Sequence, residues 1–188
     1  MNLKIEKVKE SRINQVDFSK LSFGKTFADH MFICEYKDGQ WQNPTIKPYG
    51  PLTLDPSTSV FHYGQAVFEG MKAYKDDNGH VFLFRPQENY KRINKSCERL
   101  AMPAFPEEWF DKALRTLVDI DSEWVKPGFG NALYLRPFMI ATTPGVQAAP
   151  ATNYLFIIIT APVQSYYKGD VKVKIADYYS RAANGGFG

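Results

Sequence analysis

The chain has 188 residues, 44% of them hydrophobic and 23% charged, with a net charge of +3. That length is enough for a sizeable core in one or two domains, and the composition excludes a mainly disordered chain. The small charge argues against nucleic acid or a membrane surface as a partner, and the longest apolar run, residues 155–159, is too short to span a bilayer.

Residues 1 to about 22 are polar and mixed in charge, an arm or an edge element with no apolar signal-peptide region. Residues 31–36 read as a strand, Asp38-Gly39 as a turn and residues 41–46 as the returning strand of a hairpin. Pro48, Gly50 and Pro51 break that pattern. Asp55-Pro56-Ser57 starts a short helix that ends before Gly64 or runs through to Phe68. Residues 71–74 are a strand, residues 76–79 a tight turn and residues 80–84 the return.

Two amphipathic helices follow. Tyr90, Ile93, Cys97 and Leu100 mark the first, with Pro86 in its first turn and Pro103 beyond its end. Phe110, Ala113, Leu114, Leu117 and Val118 mark the second, which Lys126-Pro127-Gly128 ends. Lys91, Lys95 and Arg99 share one face of the first helix, read as solvated beside Glu88 and Glu98. Three strands close the chain at residues 132–140, 154–160 and 171–179; the first two are almost wholly apolar and expected to be covered on both faces. The fold class is α+β, a mostly antiparallel sheet flanked by helices. Cys34 and Cys97 stand in no metal or redox spacing and read as reduced, buried thiols, so no metal site is expected and the cytoplasm is the expected compartment.

Chemistry concentrates in a few strings. In Phe61-His-Tyr-Gly-Gln-Ala-Val-Phe-Glu-Gly-Met-Lys-Ala-Tyr74, Gly64 and Gly70 bracket Tyr63, Phe68 and an acid, Glu69. Glycine serves where φ is positive or another group comes close, and aromatics beside such turns make pocket walls. Leu133-Tyr-Leu-Arg-Pro137 puts Tyr134 and Arg136 on one face of an apolar strand, where both need partners: a buried acid, or a carboxylate ligand. Arg92 offers a forked donor suited to phosphate, although an arginine on an amphipathic helix is by itself most often solvated or salt-bridged.

Together with Leu21-Ser-Phe-Gly-Lys-Thr-Phe27, Asn89-Tyr-Lys-Arg-Ile93 and the terminal Arg181-Ala-Ala-Asn-Gly-Gly-Phe-Gly188, these strings occur in the order found in branched-chain amino acid aminotransferases and resemble them from about Leu21 to Gly188. Those enzymes use pyridoxal 5'-phosphate (PLP) and have fold type IV. The resemblance implies a small domain over residues 1–161, an interdomain linker over 162–170 and the first strand of a large domain over 171–188. It implies that Arg92 and Arg181 bind the cofactor. Phe23, Tyr63, Phe68, Tyr134, Arg136, Val146 and Tyr166 would bind substrate, with Tyr134 on the α-carboxylate and Arg136 on the distal carboxylate of glutamate.

Tyr63 and Val146 would enter the active site of the other subunit of a homodimer. The reaction implied moves the amino group of leucine, isoleucine or valine to 2-oxoglutarate. The lysine that bonds PLP is expected just after Gly188, so no catalytic residue is assigned within the chain and the fragment alone is expected to be inactive. The alternatives are a noncatalytic truncated dimerising module, and another fold type IV enzyme such as a D-amino acid aminotransferase or an aminodeoxychorismate lyase.

Overall fold

The structure, a computed structural model, describes residues 2–167 and 169–180. Strands β2 (His30–Lys37) and β3 (Gln40–Pro48) form an antiparallel hairpin. Asp38 and Gly39 both take positive φ, 53° and 77°, which matches the twist of a two-residue hairpin turn. The arm before them supplies a two-residue strand, β1 (Lys4–Ile5), which pairs with β3 in parallel and forms one edge.

A five-residue helix, α1 (Ser59–Tyr63), stops at Gly64, whose φ of 64° is left-handed. The chain then runs as β4 (Ala66–Phe68), β5 (Met71–Lys75) and β6 (Val81–Leu83). So the helix expected to end before Gly64 or reach Phe68 takes the shorter course. In the turn after β5, Asp76 accepts the amides of Asn78 at 2.9 Å and His80 at 2.8 Å.

Helices α2 (Pro86–Arg99) and α3 (Glu107–Ile120) cover one face of the sheet. Pro86 opens α2, and Glu107 and Glu108 sit in the first turn of α3, where acids suit the helix dipole. The expected end of α3 near Lys126 is corrected to Ile120: Asp121 turns its carboxylate to His30, and a short 3-10 turn, Ser122–Trp124, follows.

Strands β7 (Ala132–Ala141) and β8 (Tyr154–Val163) form the centre of the sheet, whose order is β1-β3-β2-β8-β7-β5-β6, with β4 also on β7. Every pair except β1/β3 is antiparallel. Phe32, Leu133, Leu135, Met139, Phe156 and Ile158 are buried in one cluster with Ile93 of α2 and Phe110, Leu114 and Leu117 of α3. Phe105, on the link between the helices, stacks on Phe156 with ring centroids 3.8 Å apart. Cys34 and Cys97 are free and buried, as read from the sequence, and burial pushes both thiols up to about 12.

Three expectations are corrected. Strand β7 is not covered on both faces: Leu133, Leu135, Pro137 and Met139 are buried, but Tyr134, Arg136, Phe138 and Ile140 on its other face are only half-buried. Pro162 and Val163, expected in the linker, belong to β8 and pair with Leu133 and Ala132. The strand expected over residues 171–179 is not formed; Val171, Val173 and Ile175 stand 52%, 86% and 84% exposed, with no strand among the described residues to supply a ladder or a facing layer.

A buried polar cluster ties the N-terminal arm to this frame. Asp29 accepts hydrogen bonds from the Ser11 hydroxyl at 2.5 Å, the Arg12 amide at 3.0 Å and the Trp124 indole at 2.8 Å. His30 Nε2 accepts the Val8 amide at 3.0 Å, so Nδ1 carries the proton toward Asp121 Oδ1 at 2.6 Å.

Candidate functional site

Alternation along β7 sends Tyr134 and Arg136 to the face away from the helices. Two nitrogens of Arg136, Nε and a terminal one, donate to the Tyr134 hydroxyl at 3.2 and 2.8 Å. The guanidinium lies over the Phe68 ring, 4.3 Å from its centroid. Among the described residues Arg136 has no carboxylate partner. With its oxygen accepting from Arg136, the Tyr134 hydroxyl keeps its own hydrogen to donate elsewhere.

Phe23 packs edge-on to Tyr134, centroids 5.0 Å apart, and edge-on to Tyr166 at 5.6 Å. Phe23 and Tyr134 border a hollow of about 360 Å³ whose lining also includes Phe27, Arg136 and Ile159. Apolar walls with one cation and one phenol suit a small acid with an apolar side chain. A larger hollow, about 600 Å³, lies between β6 and α3; its cation, Arg115, is already held by Asp111 at 2.7 Å.

Arg92 projects from α2 and is salt-bridged, as arginines on helices commonly are. Its partner is Glu69, 2% exposed, which follows β4. Nε of Arg92 donates to Oε1 and a terminal nitrogen donates to Oε2 at 2.8 Å. Oε2 also accepts Asn89 Nδ2 at 2.8 Å and the Gly70 amide at 3.1 Å. The hydrogen bonds from Arg92 to Glu69, then the charge of Glu69, hold the guanidinium proton more tightly than usual. The Arg92 side chain remains 63% exposed, so its outer edge is open to an anion.

Sequence reasoning noted Glu69 only as an acid beside aromatics and passed over Asn89. The available signal was a carboxylate in an apolar, aromatic run: such a group needs cationic or amide donors, and Asn89 and Arg92 share a helix face three residues apart.

Tyr63 and Val146 are joined to each other, the Tyr63 hydroxyl donating to the Val146 carbonyl. The 143–146 loop is tied to the α1 start by Ser59 amide to Thr143 carbonyl at 2.9 Å and Gly145 amide to Ser57 carbonyl at 3.0 Å. Among the described residues neither Tyr63 nor Val146 bonds to Tyr134, Arg136 or Arg92, and they stand 48% and 68% exposed. Lys72 pairs opposite Tyr134 in the β5/β7 ladder and so shares its face. Arg181 lies outside the described residues.

The donor set fits a phosphorylated cofactor and a carboxylate-bearing substrate: one clamped guanidinium with an open edge, and one guanidinium and phenol with no acid beside them among the described residues.

Residues 66–186 match the family model described as amino-transferase class IV. The chain is 51% identical over 177 residues to branched-chain-amino-acid transaminase 1 of Bacillus subtilis (strain 168), covering 92% of this chain and 50% of that protein. It is 46% identical over 171 residues to the branched-chain-amino-acid aminotransferase of Mycolicibacterium smegmatis (strain ATCC 700084 / mc(2)155), covering 88% and 46%. The chain thus spans about half the length of the curated relatives it matches. In fold it resembles the solved branched-chain amino acid aminotransferase of Escherichia coli, with a TM-score of 0.58 at 18% identity over 83% of this chain and 48% of that one. A branched-chain amino acid aminotransferase from T.th., solved with pyridoxamine 5'-phosphate, aligns with a TM-score of 0.51 at 22% identity over 73% and 41%.

Proposed function

Since the chain belongs to the class IV aminotransferase family, we propose that it is the small domain, the linker and the start of the large domain of a PLP-dependent branched-chain amino acid aminotransferase, which passes the amino group of leucine, isoleucine or valine to 2-oxoglutarate. The names of its curated relatives support the substrate class. The observation that carries the reading is the pairing of Tyr134 with an Arg136 that meets no acid among the described residues, inside aromatic walls.

Each residue has a part in that reading. Arg92 would hold the cofactor phosphate with its open edge, and the family resemblance implies that Arg181 would help to bind the cofactor. When bound, PLP supplies the electron sink that lets an amino group leave one acid and join another. The Tyr134 hydroxyl donates to the substrate α-carboxylate. Phe23, Phe68 and Tyr166 enclose the branched side chain and exclude water. Arg136 sits where the distal carboxylate of glutamate needs a donor, so one hollow accepts both an apolar and an acidic side chain. Tyr63, at the end of α1, and Val146, on the loop bonded to it, reach into the site of a second subunit of a homodimer. The lysine that bonds the cofactor comes from outside these residues, in the large domain that residues 171–188 begin. The two buried, unpaired thiols accord with a cytoplasmic enzyme.

The test is a substrate panel. The full-length protein is expected to transaminate L-leucine, L-isoleucine and L-valine with 2-oxoglutarate, and residues 1–188 expressed alone are expected to show no turnover. Activity confined to D-amino acids, or turnover by the isolated 188-residue chain, would contradict the reading.

A further inference from the structure

Glu69 is the most buried charged group near the proposed cofactor site, and nothing in the substrate reading uses it. Its carboxylate is 2% exposed, yet both oxygens are satisfied: Arg92 on Oε1, and Arg92, Asn89 and the Gly70 amide on Oε2. A carboxylate removed from water in this way is retained only with charged and amide donors around it.

The geometry has a consequence for Arg92. An arginine has five N–H donors in a fixed fork. Two of Arg92's go to Glu69, from Nε and one terminal nitrogen, which leaves three on the outer edge. Lateral engagement of one edge fixes the plane of the guanidinium and the direction of the other. Without it, a side chain 63% exposed would sample many rotamers and would have to be ordered by its ligand.

We propose that Glu69 is a positioning residue for cofactor phosphate, acting through Arg92, with Asn89 as its brace. The inference rests on the reading of Arg92 as the phosphate anchor. An opposing effect exists: the anionic carboxylate partly cancels the cation that the phosphate sees. Orientation and neutralisation predict opposite signs, so the two are separable. If orientation dominates, removing the charge of Glu69 weakens phosphate binding; if neutralisation dominates, it strengthens it.

The experiment compares the affinity of the full-length apoprotein for PLP and for pyridoxal, which lacks the phosphate, in the wild type and in Glu69→Gln, Asn89→Ala and Arg92→Gln. Glu69→Gln is expected to raise the PLP dissociation constant about tenfold and leave that for pyridoxal unchanged. Inorganic phosphate should compete less well with PLP in the variant. Asn89→Ala, which spares the ion pair and offers a milder change should Glu69→Gln fail to fold, is expected to shift PLP selectively by a few fold. A tighter or unchanged PLP affinity in Glu69→Gln, or equal weakening for PLP and pyridoxal, overturns the proposal; for a Glu69→Gln that does not fold, the same results in Asn89→Ala do so. A PLP/pyridoxal ratio moved by Arg92→Gln but not by Glu69→Gln or Asn89→Ala contradicts this inference alone. A ratio moved by none of the three contradicts the anchor as well.

Discussion

At position 70 the backbone φ is not left-handed, so what glycine provides there is space. A Cβ on it would lie 2.3 Å from the Tyr134 hydroxyl and 3.0 Å from the ring carbon that bears it. Because the obstructing atoms are the free end of a side chain, Gly70→Ala is expected to move the phenol rather than the sheet. Its cost in stability should sit near the low end of overpacking, about 1 kcal/mol, read by thermal unfolding. The Michaelis constant for leucine should rise roughly tenfold if the hydroxyl leaves the position proposed to hold the substrate carboxylate. A larger loss of stability than of substrate binding would mean that the strand, not the phenol, yields. Such detail was only partly legible in the sequence. The reading of glycine as turn or close approach holds at both ends of the motif, Gly64 by its left-handed φ and Gly70 by contact. That Tyr134 would be the group in contact needed the β5/β7 pairing.

Among the elements, β7 shows why periodicity alone misjudged coverage. Its residues are apolar on both faces apart from Tyr134 and Arg136, which reads as full burial; yet the face bearing those two is half-open, and the open face is the one with the hollow. The helices were legible because their apolar stripes are long and regular, and the residues of α3 named from the pattern are all buried.

The N-terminal arm was not legible, because its order depends on Asp29, Asp121 and Trp124 meeting across long sequence separations. Burial alone would raise the Asp29 carboxyl, but the Ser11 hydroxyl, the Arg12 amide, the Trp124 indole and the Arg12 charge together hold it below the ordinary carboxylate value. A depressed value in the fold means that this stabilisation is present above the unfolded value, about 3.9, and is lost as pH falls through the folded one. Asp121 runs the other way: burial raises it despite His30, so its contribution is present at low pH and lost as pH rises through the folded value. Lowering the pH below about 4 is therefore expected to lower the amide-exchange protection factors of Ser11, Arg12 and Ile13, each relative to the intrinsic rate at that pH, before those of β8. Asp29→Asn should show the lower protection already at neutral pH. Protection of the arm that is unchanged in Asp29→Asn would sink this account.

For the molecule as a whole, the sheet and its helical cover follow from hairpin turns, two amphipathic stripes and two apolar strands, all readable in the chain. The exception is residues 171–179, where alternation of Val171, Val173 and Ile175 with lysines promised a strand and the side chains stand exposed. Alternation shows which residues could share a face; it does not supply the neighbouring strand that makes a ladder. If these residues begin a large domain, the double substitution Val173→Ser, Ile175→Ser should leave the melting temperature of the 188-residue chain unchanged and lower that of the full-length protein by several degrees. A drop in both, or in neither, would place the segment differently.

The central claim concerns Arg136, a cation on an apolar strand face with a phenol and an aromatic ring for neighbours and, among the described residues, no acid. The most direct measurement is the pair of half-reactions of the full-length enzyme, followed by cofactor absorbance, in wild type and Arg136→Leu. The claim predicts that kcat/KM for glutamate falls by about a hundredfold, roughly 2.7 kcal/mol, while that for leucine stays within about fivefold. Equal losses for the two amino acids, or a glutamate half-reaction that survives intact, would contradict it.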